Sequence, residues 1–177
     1  MPVKNPKEMF VLLLSNLRQG NERTGKILEE IIPQVQDPDV KEALEARAFL
    51  SQKVRGTLDQ CFKLIGEQPV QLSGRLYDVF VEDFRKELAE IQNPVARHLF
   101  ILAKVSHLIH LRIAEYRALI AAADLSGHYG VGVLLESALA DKLVLVERAE
   151  HFIRAVAAGK LAERIATRTA AYNRVFD

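Results

Sequence analysis

The chain has 177 residues, of which 49% are hydrophobic and 27% charged, a balance that suits one continuous core and argues against disorder. Lys and Arg number 24 against 23 Asp and Glu, so the basic excess of a nucleic-acid binder is missing and no nucleic-acid partner is expected. One cysteine, Cys61, excludes an intramolecular disulfide, and no apolar run approaches the roughly 20 residues that span a bilayer. The composition therefore predicts a cytoplasmic protein of one domain, residues 1–177.

The first helix is expected to begin at Asn5-Pro6, where Asn caps and Pro fits the first turn. Met9 to Leu14 is apolar, but no small-residue cleavage site follows at once, so the stretch reads as a helix start rather than a signal peptide. Phe10, Leu13, Leu14 and Leu17, then Ile27, Leu28 and Ile31, keep a helical period. Residues 18–25 between them are polar on all sides, which reads either as a break or as the place where a bundle introduces ligands. Glu22 stands in that stretch.

Asp37-Pro38 predicts the start of a second helix, with Asp37 as cap, and Gly66 its stop. Ser73 is expected to cap a shorter amphipathic helix through Ile91, carrying Leu76, Val79, Phe80, Phe84 and Leu88. Asn93-Pro94 begins a long helix to about Leu125, closed by Ser126-Gly127. A further helix is predicted over 131–158, stopped by Gly159, and a last one over 160–176. Four helices of about 25–30 residues, each ~40 Å long, joined by short connections, predict an antiparallel four-helix bundle.

The segment Asn5-Pro6-Lys-Glu-Met-Phe-Val-Leu-Leu-Leu-Ser-Asn-Leu17 resembles the opening of the YciE/YciF family, ferritin-like bacterial proteins associated with stress responses. Asp37-Pro-Asp-Val-Lys-Glu-Ala-Leu-Glu45 is similar to the start of that family's second helix, and Leu58-Asp-Gln-Cys-Phe-Lys-Leu-Ile-Gly-Glu67 to its end. The long helices that follow fit by length and order, with weaker matches near Tyr116 and Gly127-His128. The resemblance implies an all-α, ferritin-like antiparallel four-helix bundle with an additional short helix and a C-terminal helix. It also implies a carboxylate-bridged dimetal site, with hard oxygen ligands and imidazole converging from four helices.

Carried over residue by residue, the family's first ligand falls on Glu22. The second helix's carboxylate falls on Phe49 and a nearby His on Val54. In the third core helix the expected carboxylates fall on Ile109, beside His110, and on Arg112. In the fourth they fall on Lys142 and Val146, with the adjacent Asp141 as the alternative equivalent. Most of the ligand set is absent on this mapping, and neither a catalytic residue nor a cofactor is expected.

Two readings of the vacated centre follow. A buried carboxylate without a metal needs a counter-charge, so Glu22, Lys142, Arg47 and Arg112 are expected to form an internal ion-pair network. Alternatively, His107 and His110 on one helix and Glu147, Glu150 and His151 on the next, with Glu22 and Asp141, form a relocated site for iron or manganese. Cys61 lies on an apolar stripe and reads as a small hydrophobe rather than a nucleophile. Lys160, Arg164 and Arg168 recur every four residues near Arg154 and Arg174, a pattern that fits an acidic partner or a solvated face, while Tyr172 and Phe176 beside it fit packing on the bundle or on a second subunit.

The leading expectation is a non-catalytic structural or interaction protein with a stress-related role. A metal-binding protein or oxidoreductase is the alternative, and a binder of an apolar ligand in the bundle interior is a third. Leu99, Phe100, Leu108 and Leu111 exceed what one bundle stripe requires, so a homodimer is expected.

Overall fold

Both Asn-Pro pairs start helices through the chemistry expected of them. A computed structural model describes the backbone of residues 3–35 and 38–176, with side chains over the same ranges save residue 39 and residues 160–176. The Asn5 side chain accepts from Glu8 N at 2.9 Å to open α1, Pro6–Ile31, which a single 3-10 turn extends over Ile32–Gln34. Asn93 accepts from Val95 N and Ala96 N, both at 3.0 Å, to open α4, Pro94–Leu125. The expected Asp37 cap of α2, Pro38–Ile65, lies outside the described residues.

Gly66 (φ 69°) and Gly127 (φ 74°) end α2 and α4 in the left-handed region. Beyond them, the amides of Glu67 and His128 donate back to the carbonyls of Phe62 and Ala123.

Three boundaries differ from the sequence expectation. Residues 18–25 do not break α1, because the polar side chains find partners on other elements. Arg18 pairs with Asp59, Gln19 donates to Leu72 O at 2.9 Å, and Asn21 donates to Ser51 O at 2.8 Å. The start of α3, Arg75–Glu90, is not capped by Ser73. Gly74 occupies the cap with φ 59°, and Arg23 of α1 donates to Gly74 O and pairs with Asp78. Finally, Gly159 is no stop. It lies inside α5, Tyr129–Phe176, which runs unbroken through the two helices that had been expected.

α1 packs on α2 and α4, and α5 packs on the same two, so the four long helices form a closed ring. Contacts that fall along one helix as they rise along the next, Arg18–Asp59 then Asn21–Ser51, and Asn16–Glu115 then Leu17–Arg112, make α1 antiparallel to both α2 and α4. This is the all-α, ferritin-like four-helix bundle, with α3 laid outside it against α1 and α4. There, Arg85 pairs with Glu30 at 2.6 Å, Lys104 pairs with Glu87, and Phe84 stacks on Phe100 at 5.6 Å.

α3 therefore accounts for Phe100, one of the apolar residues that had looked surplus. Leu108 is buried in the core, and Phe100 and Leu111 pack against it. Among the described residues no helix is long and apolar enough to cross a membrane.

The interior has two apolar clusters. One gathers Ile27, Leu28, Leu44, Leu102, Val105, Ile109 and Ile113, and the other Phe10, Leu14, Leu17, Leu58, Cys61, Tyr116 and Leu135. Between them, every core helix contributes to a layer of buried polar residues: Asn21 and Thr24, Arg47 and Ser51, Arg112, and Lys142. A bundle has no packing reason to interrupt its core in this way, since full burial of one Leu or Phe side chain contributes about 1.5–3 kcal/mol. The layer is the candidate site.

Candidate functional site

Each core helix contributes to the layer. On α1, Thr24 Oγ1 donates to Gly20 O at 2.8 Å, and Asn21 and Ser51 of α2 satisfy one another, with Ser51 Oγ 3.2 Å from Asn21 Oδ1. These groups hold α1 and α2 in register without carrying charge.

Arg112 of α4 is only 2% exposed. Its Nη1 sits 2.6 Å from Glu115 Oε2, one turn along the same helix, and donates to Leu17 O at 3.3 Å. Its guanidinium lies over the Tyr77 ring at 4.3 Å, and the Tyr77 hydroxyl donates to Glu115 Oε1 at 3.0 Å. The other face of the guanidinium abuts Gly20, where any Cβ would fall on it. Nε and Nη2 are buried and have no hydrogen-bond partner among the described residues. The Tyr116 hydroxyl, one residue beyond Glu115, is buried and equally without a partner.

Arg47 of α2 and Lys142 of α5 complete the layer, each 8% exposed. Arg47 Nη1 donates to Val105 O at 3.2 Å. Lys142 donates to no carboxylate or carbonyl among the described residues.

Burial sets the protonation of all these groups. It pulls both guanidinium groups down to about 10, with Arg112 adding to the effect on Arg47, which leaves both charged at neutral pH. Burial, then the charges of Arg47 and Arg112, pulls the Lys142 amine down to about 8, and Asp141 opposes them. Burial pushes the Glu115 carboxyl up while Arg112 draws it down. The Tyr116 phenol is also pushed up, chiefly by burial. Three buried cations thus have one paired carboxylate among them, Glu115 beside Arg112.

The remaining residues singled out from the sequence are placed elsewhere. Glu22 does not join Lys142. Its side chain is one-third exposed and pairs with Lys26 at 3.4 Å, because its position on α1 faces outward from the layer that Asn21 enters. The counter-charge comes instead from Glu115, which sequence reasoning missed although the Arg112-x-x-Glu115 spacing signals a helical pair. Asp141 pairs with Lys53 at 3.5 Å.

His107, His110, Glu147, Glu150 and His151 are exposed. The His110 ring meets Ser106 O on its own helix at 2.9 Å, and His151 lies edge-on to Phe152. Among the described residues, no three His, Cys, Asp or Glu side chains are grouped so as to hold a metal ion, so the proposed relocated ligands are not brought together. Phe49, the mapped position of the second helix's ligand, is 70% exposed. The inward residues there are Arg47 and Ser51. Protonated guanidinium and ammonium groups offer no lone pair, so this donor set does not fit the dinuclear metal centre of a ferritin-like bundle. The basic residues of the C-terminal stretch, with Tyr172 and Phe176, have side chains outside those described.

Comparison with known proteins agrees with the fold. The model of the family described as a domain of unknown function, DUF892, matches residues 5–162. No curated protein matches the sequence. Among solved structures, the chain is similar to the Escherichia coli stress protein YciF, with 16% identity and a TM-score of 0.83 over 88% of this chain and 99% of that one. It is similar to YcfI of Rhodopseudomonas palustris, for which a structural role has been suggested, with 22% identity and a TM-score of 0.80 over 84% and 94%. It is also similar to a protein of Xanthomonas campestris pv. campestris, with 20% identity and a TM-score of 0.71 over 90% and 99%.

Proposed function

Because this chain belongs to the DUF892 family, we propose that it is a non-catalytic, ferritin-like structural or interaction protein with a stress-related role, its interior centred on cations instead of a dinuclear metal. The observation that carries this reading is the layer of Arg47, Arg112 and Lys142, all at least nine-tenths buried. Buried positive charges repel a divalent cation strongly where the dielectric is low. Arg112 is also built in from both sides, by the bare backbone of Gly20 and by the Tyr77 ring, so it belongs to the folded core. Similarity to a protein named as a stress protein supports the stress-related role.

The same reading takes the protein as cytoplasmic and homodimeric. Exposed Phe49 on α2, with Leu143 and Val144 on α5, is apolar surface that a second copy would cover.

Protein purified without chelators from cells grown with added iron and manganese is expected to show a metal-to-protein ratio near zero. A stoichiometric ratio of either metal, retained through dialysis, overturns the proposal.

A further inference from the structure

Between α2, α4 and α5 lies a cavity of about 580 Å³, within the roughly 300–1,000 Å³ usual for small-molecule sites. Its walls are mostly apolar, with Leu44 from α2, Leu102 and Val105 from α4, and Leu145 and Phe152 from α5. The lining runs along the helices in one direction. At one end stand Glu42, Leu102 and His151, and at the other Arg47, Ile109 and Leu145, with exposed Glu147 and Arg148 on the rim between. One helical turn beyond that inner end come Arg112 on α4, three residues past Ile109, and Lys142 on α5, three residues before Leu145. The apolar cavity thus runs from a rim of mixed charge toward the cationic layer.

That layer lacks anionic partners. Glu115 is the carboxylate paired with Arg112, which keeps two buried donors unused, and no carboxylate makes an ion pair with Arg47 or Lys142 among the described residues, where Asp141 instead pairs with Lys53. An uncompensated buried charge is costly, and an anion reaching it from the cavity relieves that cost. A neutral apolar ligand would leave the cations unpaired, and a small inorganic anion would leave the apolar walls empty.

The geometry points to a binding site for an aliphatic carboxylate of the fatty-acid type, its head group at Arg47 and Lys142 and its hydrocarbon chain along the walls of this cavity. The inference rests on the cation-centred reading above.

Dodecanoate is the probe, with dodecanol carrying the same chain uncharged and acetate the same head group without a chain. Calorimetry and thermal unfolding of the full chain are expected to show saturable binding and a concentration-dependent rise in Tm with dodecanoate alone. Arg47→Met and Lys142→Met are each expected to weaken binding about tenfold or more, the loss of one charge-assisted contact. Lys142→Arg, which keeps the charge, retains binding and serves if Lys142→Met fails to fold. Dodecanol matching dodecanoate, acetate matching it, or charge-removing variants that fold and bind like the unaltered protein would each overturn the inference. Metal content measured on the same preparation separates the two readings: metal-free protein that ignores dodecanoate refutes this inference alone, whereas stoichiometric metal refutes both.

Discussion

Replacing Lys142 by Met keeps the unbranched, apolar stem and removes a buried charge that no carboxylate meets. The fall of the amine from 10.5 to about 8 corresponds to about 3 kcal/mol held against the folded state while the amine is charged. Below about pH 8 the group is protonated in both folded and unfolded chains, so the whole penalty is present. Between about 8 and 10.5 the unfolded chain binds the proton and the folded one does not, so stability rises with pH. Above 10.5 the contribution is flat.

Lys142→Met is therefore expected to be more stable than the unaltered protein at pH 7 by up to about 3 kcal/mol, or ~6–12 °C in Tm for a chain of this length. The gap should close as pH climbs through the window. Urea unfolding at a series of pH values, on ligand-free protein, measures both, and subtracting the curves removes every group the two proteins share. A variant less stable at pH 7, separated from the parent by a constant gap up to pH 10.5, would refute the reasoning, because it would mean that the amine is well paired.

Gly20→Ala should gain about 1 kcal/mol of helix propensity yet lose about 1–3 kcal/mol net by displacing the Arg112 guanidinium, and the loss should largely vanish when Arg112 is Met. A strictly additive double-mutant cycle would show that the two positions do not compete for space. The Cys61 thiol, fully buried and pushed up to about 11 by burial, should resist a thiol reagent at pH 8 in the native protein and react quickly in denaturant. Quick reaction in the native state would contradict its placement. Gly159→Ala should raise stability by up to about 1 kcal/mol, since Gly159 lies inside a helix with open space around it. A clear loss would place Gly159 in the left-handed stop that α5 does not have.

Features decided by a few adjacent residues were readable in the sequence. Asn5-Pro6, Asn93-Pro94, Gly66 and Gly127 mark helix boundaries through local capping and local φ, and the structure has them there. Features decided by distant partners were not. Residues 18–25 look like a break until Asp59, Ser51, Leu72 and Gly74 are seen to receive their side chains. Phe100 looks surplus until α3 is laid against α4.

The site suffered from register. Each residue turns a helix by about 100°, so mapping the second helix's ligand onto Phe49, two positions past Arg47, moved it from the core to solvent. Arg112 and Lys142 drew notice only through the resemblance, whereas Arg47 also falls on the apolar stripe of Val40, Leu44, Val54 and Leu58. Glu115 carried a local signal, and the cavity beside Arg47 carried none, since three helices far apart in sequence build it.

The seat of Arg112 against Gly20 has a consequence for when the centre of this protein comes into being. A bundle organised around metal is finished only after ions have been acquired, and it is exposed to scarcity, to the wrong ion and to whatever sequesters the right one. On the cation-centred reading proposed above, the central positive charge is attached to the backbone and arrives with translation. A glycine and a tyrosine ring hold its place, so it neither competes for supply nor leaves when conditions turn hostile.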